Sequence, residues 1–163
     1  MKRLIFLLLL ALPFSIMVGC QQSGSETADL KARIDSLQNR LNSSYTPGTG
    51  ALMNTIVQPH HIKLWFAGQN KNWALAEYER QEVMGGFEKV QKYHKNKPEA
   101  TAVAMIFPAM DAIEKSIQAK DEKAFKNNFV LLTNTCNTCH QALKFGFNVI
   151  KVPTKNSFDD QSF

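Results

Sequence analysis

The chain has 163 residues, 44% of them hydrophobic, and carries 19 Lys and Arg against 14 Asp and Glu for a formal charge of +5. Lys2 and Arg3 belong to an N-terminal segment that reads as a cleaved leader, and without them 17 basic residues face 14 acidic ones, a balance of +3. That surplus is too mild, and too evenly interspersed with Glu and Asp, for a nucleic-acid partner, and the roughly 110 residues left after leader and linker amount to one ordinary domain.

Lys2 and Arg3 form a short positive head, and residues 4–18 are apolar apart from Pro13 and Ser15. About 15 apolar residues are too few for a relaxed membrane span, which needs roughly 20, so residues 1–19 read as an export signal. Met17-Val18-Gly19-Cys20 resembles the lipobox of bacterial lipoproteins, departing from it at Met17, where leucine is commoner. The resemblance implies cleavage before Cys20, a diacylglycerol on its sulfur, and attachment to a lipid membrane through several acyl chains. The alternative is an ordinary cleaved leader with Cys20 incidental. Gln21 favours the outer over the inner membrane, so the expected location is the periplasmic face of a bacterial membrane.

Residues 20–50 read as anchor, stalk and linker. Leu30, Ile34, Leu37 and Leu41 recur at spacings of four and three with charged residues between them, an apolar helical stripe over residues 26–41. It spans barely two heptads, short of a sustained coiled coil, and predicts a stalk helix with self-association as an option. Residues 42–50, rich in Ser, Thr, Pro and Gly, form a linker.

From Ala51 the apolar residues recur at three and four, and no alternating Val, Ile and Thr runs signal strands. Helix one is expected over residues 51 to 66 or 67, closed by Gly68, with Pro59 predicting a kink or a start for its second half. Asn72 caps helix two, residues 73–93, which Gly85-Gly86 weakens at mid-length. Pro98 opens helix three, Pro108 interrupts it, and residues 109–119 complete it. Asp121 caps helix four, which carries Phe125, Phe129, Leu132 and the run Cys136-Asn137-Thr138-Cys139-His140. Four helices with short loops predict an all-α antiparallel four-helix bundle over residues 51–150, followed by an extended tail over residues 151–163.

The chemistry is expected in Cys136-Asn137-Thr138-Cys139-His140. Two thiols three residues apart on a helix point to nearly the same side, so both can add to the two vinyl groups of one haem, and His140 then stands beneath the iron as proximal ligand. Thioether attachment occurs outside the cytoplasm, where the export signal sends the chain. A structural zinc site needs four ligands, and after Cys20 only this cysteine pair exists. A thioredoxin-like dithiol wants an α/β setting, which is absent, and a disulfide across one helical turn would be strained and leave His140 unexplained. The three cysteines divide as one for lipid and two for one covalent haem c.

A haem-attachment run on the last of four predicted helices, with 23 residues after His140, resembles cytochrome c-prime and, more loosely, the four-helix b-type cytochrome of the periplasm. Residues 61–68 (His-Ile-Lys-Leu-Trp-Phe-Ala-Gly), residues 72–79 (Asn-Trp-Ala-Leu-Ala-Glu-Tyr-Glu), Val152-Pro153 and residues 158–163 are similar to a set of bacterial haem-c proteins related to that fold. The resemblance covers about residues 51–163. It implies that helix one faces helix four across the haem and supplies the distal group.

Helix one offers Met53, His60 and His61. Counted helically, Met53, Val57, His60, Leu64 and Ala67 share one stripe, and Val57, His61, Leu64, Trp65 and Gly68 the neighbouring one, so either histidine can be central. The local resemblance includes His61, which makes it the preferred ligand. Bis-histidine iron would have low potential and suit electron transfer, methionine would raise the potential, and an open position would bind a gas such as nitric oxide. The aromatic residues Trp65, Phe66, Trp73, Phe125 and Phe129 are expected as core and cavity wall, Met84, Met105 and Met110 as packing, and His94 as a helix end. No catalytic apparatus of a peroxidase or reductase is visible, so the expected protein is no enzyme. It is an electron carrier meeting a periplasmic or membrane redox partner, with gas sensing or scavenging as the alternative and a homodimer left open.

Overall fold

The computed structural model describes residues 25–41 and 43–163, and all regular structure among them is helical. The signal segment and Cys20 lie outside the described residues. Among the described residues no helix is long and apolar enough to cross a membrane. The chain divides into two units, one ending at Tyr45 and the other Thr46–Phe163.

In the first unit, residues 25–41 form helix α1. Its stripe of Leu30, Ile34, Leu37 and Leu41 is exposed along its whole length, and Arg33 pairs with Asp29 one turn away at 2.9 Å.

The second unit begins earlier than the linker composition predicts. His94, buried, donates from Nε2 to the Pro47 carbonyl at 2.9 Å, and helix starts again at Thr49. Three segments then run without a break: α2 (Thr49–Leu52), a π-helical turn (Met53–Val57) and α3 (Gln58–Gln69). The π turn is the physical form of the kink expected at Pro59. Proline has no N–H to donate and its ring crowds the carbonyl four residues back, so the preceding turn widens and Gln58 N–H reaches the Met53 carbonyl instead.

Asn72 caps α4 (Trp73–Tyr93), accepting from Leu75 N–H at 3.3 Å. This helix runs through Gly85 and Gly86 unbroken. At Gly86 a Cβ would come within 2.6 Å of Val57 Cγ2, so the missing side chain lets α4 close on the π turn. The two prolines shape the third stretch: Pro98 opens α5 (Pro98–Ala102), a 3-10 turn (Val103–Ile106) follows, and Pro108 sits in the first turn of α6 (Phe107–Gln118). Asp121 caps α7 (Glu122–Ala142), accepting from Ala124 N–H at 2.9 Å.

Helix α3 packs on α4, α4 on α6, α6 on α7, and α7 on α3. Leu64, Ala67, Val83, Val90, Met110, Ile113, Phe125, Phe129 and Leu132 fill the space between them. Met110 is fully buried as expected, whereas Met105 is 38% exposed on the 3-10 turn and does not belong to the core.

Gly68 does not close helix one as the sequence suggests. It lies inside α3, where Phe125 occupies the space of its absent Cβ. The helix ends instead at Gln69 and is closed by Lys71, whose φ of 61° is left-handed, with Asn72 N–H bonded to the Ala67 carbonyl and Lys71 N–H to that of Gly68. The same closure recurs at Lys120 (φ 53°) after α6 and Lys144 (φ 65°) after α7, the pattern usually given to glycine. The tail beyond α7 folds back over α3: Phe163 meets Phe66 at 6.0 Å between rings, and Lys63 Nζ stands 4.7 Å over the Phe158 ring.

Candidate functional site

One cavity of about 410 Å³ opens between the start of the second unit and the end of α7. Cys136, Cys139 and His140 all line it, as do Met53 and His61. Its apolar walls come from Val57, Phe87, Val103, Ile106, Leu143 and Phe145. Phe87 is the aromatic contribution of α4, and its role was not legible from the sequence. Trp65, Trp73, Phe125 and Phe129, expected as core and cavity wall, form a cluster behind it: Trp65 and Phe129 lie 4.8 Å apart between centroids, and Trp73 meets Phe125 edge-on at 6.1 Å. They are core, not lining.

Cys136 and Cys139 stand one helical turn apart on α7 with no disulfide between them. Burial pushes the Cys136 thiol up to about 12 and raises that of Cys139. Both are therefore neutral thiols in the metal-free chain. Among the described residues no three His, Cys, Asp or Glu side chains converge on a point fit for a metal ion.

His140 is held by one strong contact. Its Nδ1 lies 2.6 Å from the backbone carbonyl of Asn148, so Nδ1–H donates and the lone pair is left on Nε2. This is the arrangement that orients a metal-binding imidazole and strengthens it as a donor. The carbonyl is presented by residues 143–150, which turn back along α7 from the left-handed Lys144.

The two histidines of α3 have different surroundings. His60 points away from the cavity: its Nδ1 lies 2.5 Å from Oε2 of the buried Glu79, and its Nε2 3.9 Å from Glu82. His60 therefore drops out as a facing group. His61 is 4% exposed, stacks obliquely on Phe129 at 4.5 Å, and places Nε2 3.1 Å from Thr133 Oγ1. The Thr133 hydroxyl hydrogen goes to the Phe129 carbonyl at 2.9 Å, so the hydroxyl oxygen accepts from His61 Nε2–H. Burial lowers the His61 imidazole to about 4, which keeps it neutral and leaves its lone pair on Nδ1. Thr133, Cys136 and His140 are spaced by three and four along one face of α7, so His61 stands one turn from the first thiol.

Part of the cavity lining is polar. Thr49, Lys97 and Glu99 line it, and Thr49 Oγ1 and Glu99 Oε2 are buried without a hydrogen-bond partner. Lys97 had no signal in the sequence; Lys63 stands over Phe158 and Lys144 lies in the turn after α7. Haem fits this donor set. It is a flat apolar macrocycle with two carboxylates on its edge, and the cavity offers two neutral thiols one helical turn apart, an imidazole with its lone pair on Nε2, apolar walls, and Lys97 with the orphaned Thr49 hydroxyl as partners for those carboxylates, opposed by the like charge of Glu99.

No protein-family model, curated protein or solved structure matches the chain.

Proposed function

We propose that the chain is a c-type cytochrome in which α3, α4, α6 and α7 form an antiparallel four-helix bundle around one covalent haem. It is tethered through an acylated Cys20 to the periplasmic face of a bacterial membrane, and it exchanges single electrons with a periplasmic or membrane redox partner. The observation that carries the reading is that Cys136, Cys139, His140 and His61 line a single apolar cavity, with the His140 Nδ1–H already committed to Asn148. The closed ring of helix contacts and the short turns after α3 and α6 support the bundle.

Bound there, haem supplies a reversible one-electron couple at its iron. Cys136 and Cys139 would hold it through thioethers, each S–H adding across a vinyl double bond so that attachment consumes no oxidant, and His140 would hold the iron through Nε2. Met53, Val57, Phe87, Val103 and Ile106 exclude water, which holds down the energy of reorganising solvent around a changing charge. Lys97 and Thr49 would offer charge and hydrogen bonds to the carboxylates of the haem edge, against the like charge of Glu99.

His61 is the distal group of this reading. The bond from its Nε2 to Thr133 favours a second reading, in which the imidazole stays with Thr133 and the open iron position takes nitric oxide or a similar gas.

Expression of the full chain in a host that attaches haem tests both. A haem stain surviving a denaturing gel, lost on joint Cys136→Ala and Cys139→Ala substitution, is the expected result, and an unstained wild-type chain overturns the proposal. A sharp α band indifferent to carbon monoxide, turned high-spin by His61→Ala, supports electron transfer. A broad wild-type spectrum that shifts with carbon monoxide replaces it with the gas-binding reading.

A further inference from the structure

Asn137 lies between the two thiols, and attachment chemistry makes no demand on it. Its side chain nonetheless makes a paired contact: Nδ2 donates to the Ile150 carbonyl at 2.8 Å and Oδ1 accepts from the Ile150 N–H at 2.8 Å. The two bonds together fix the orientation of the amide, since a flipped side chain would satisfy neither.

The contact closes a loop of chain. Residues 143–150 leave α7 through left-handed Lys144, Phe145 N–H bonds back to the His140 carbonyl at 2.7 Å, and Asn148 N–H bonds to the Phe145 carbonyl at 2.8 Å. Asn137 fastens the far end. Little apolar burial holds the segment otherwise, for Phe147 is 85% and Val149 60% exposed. Inside this loop the Asn148 carbonyl faces His140 Nδ1.

We propose that Asn137 is a positioning residue for His140: by clamping Ile150 it holds residues 145–150 so that the Asn148 carbonyl accepts the Nδ1–H, which fixes the tautomer, the ring plane and the donor strength of the iron ligand. The inference rests on the haem reading above. A hydrogen-bonded imidazole is the stronger donor and favours ferric iron, so loosening the clamp raises the reduction potential.

The test uses the full-length, haem-loaded protein with Asn137→Ala and the uncharged, near-isosteric Asn137→Leu. In the Ala variant the Ile150 amide exchanges roughly tenfold faster or more, as expected for a lost hydrogen bond of ordinary strength, and the midpoint potential rises with haem still attached. The Leu variant keeps the side-chain volume, loses both bonds and gives a rise in the same direction. A purely structural clamp would change exchange and stability but not the potential. An Ala variant with attached haem and the wild-type potential overturns the inference while the haem reading stands. If the Ala variant loses its haem, the Leu variant decides: a raised potential supports the inference, and a wild-type one overturns it. A wild-type chain without covalent haem overturns both, which the haem stain distinguishes from the first failure.

Discussion

His61 on α3 and Thr133 on α7, 72 residues apart in sequence, share a buried hydrogen bond of 3.1 Å that joins the two helices flanking the cavity. Thr133 cannot be replaced by an apolar isostere without leaving the imidazole N–H in a dry site. Thr133→Val is expected to destabilise the haem-free chain by about 1–3 kcal/mol, the usual cost of an orphaned buried donor. Urea denaturation checks it. An unchanged midpoint would mean that the imidazole finds another acceptor.

The same burial makes stability depend on pH. His61 titrates near 4 in the folded chain against 6.5 unfolded, so the unfolded state binds the proton first. This contribution is fully present above pH 6.5 and is lost as the pH falls toward 4, amounting to about 2–3 kcal/mol by pH 4.5. Glu77, lowered by its hydrogen bond to Arg80, acts in the same direction, but only below its ordinary value of 4.5. Between pH 7 and 4.5 the haem-free wild type should therefore lose more stability than His61→Phe, by roughly that amount. Equal losses in the two proteins would rule His61 out as the source.

The elements were legible because apolar spacing, Asn72, Asp121 and the prolines are local signals, and local forces set helix starts. The ends were not. Gly68 looked like a stop, yet it serves the approach of Phe125, a residue 57 positions on that no local pattern connects to it. At the site, Cys136, Cys139 and His140 announced themselves by spacing. His61 and His60 could not be separated by counting, because the π turn ahead of Pro59 changes the helical register on which the count depends. Asn137, Asn148 and Lys97 carried no signal at all, since their roles depend on where the chain returns after α7 and where α5 begins.

Three helix ends place lysine in the left-handed region, where a Cβ costs about 1–2 kcal/mol relative to glycine. Lys120 is exposed and tests the cost cleanly. Lys120→Gly should stabilise the chain by about 0.5–1 kcal/mol, the strain relieved less the extra freedom glycine has when unfolded. Lys120→Ala keeps the Cβ and should give no such gain. Thermal midpoints of the two variants, measured side by side, separate backbone strain from loss of the lysine side chain.

Two glycines on neighbouring helices should respond with opposite sign to the same substitution. A Cβ at Gly85 would meet only Lys89 Nζ at 3.9 Å, so Gly85→Ala removes unfolded-state freedom at no steric cost and should stabilise by about 0.5–1 kcal/mol. At Gly68 the Cβ would lie 2.1 Å from Phe125 Cε1 and Cζ, and Phe125 is wedged against Trp65, Trp73 and Phe129 with no room to turn. Gly68→Ala should therefore cost about 1–3 kcal/mol despite its better helix propensity. The disturbance reaches the cavity, because Phe129 also packs on His61. Denaturation of both variants gives the signs, and a neutral Gly68→Ala would mean that α3 and α7 can part without loss.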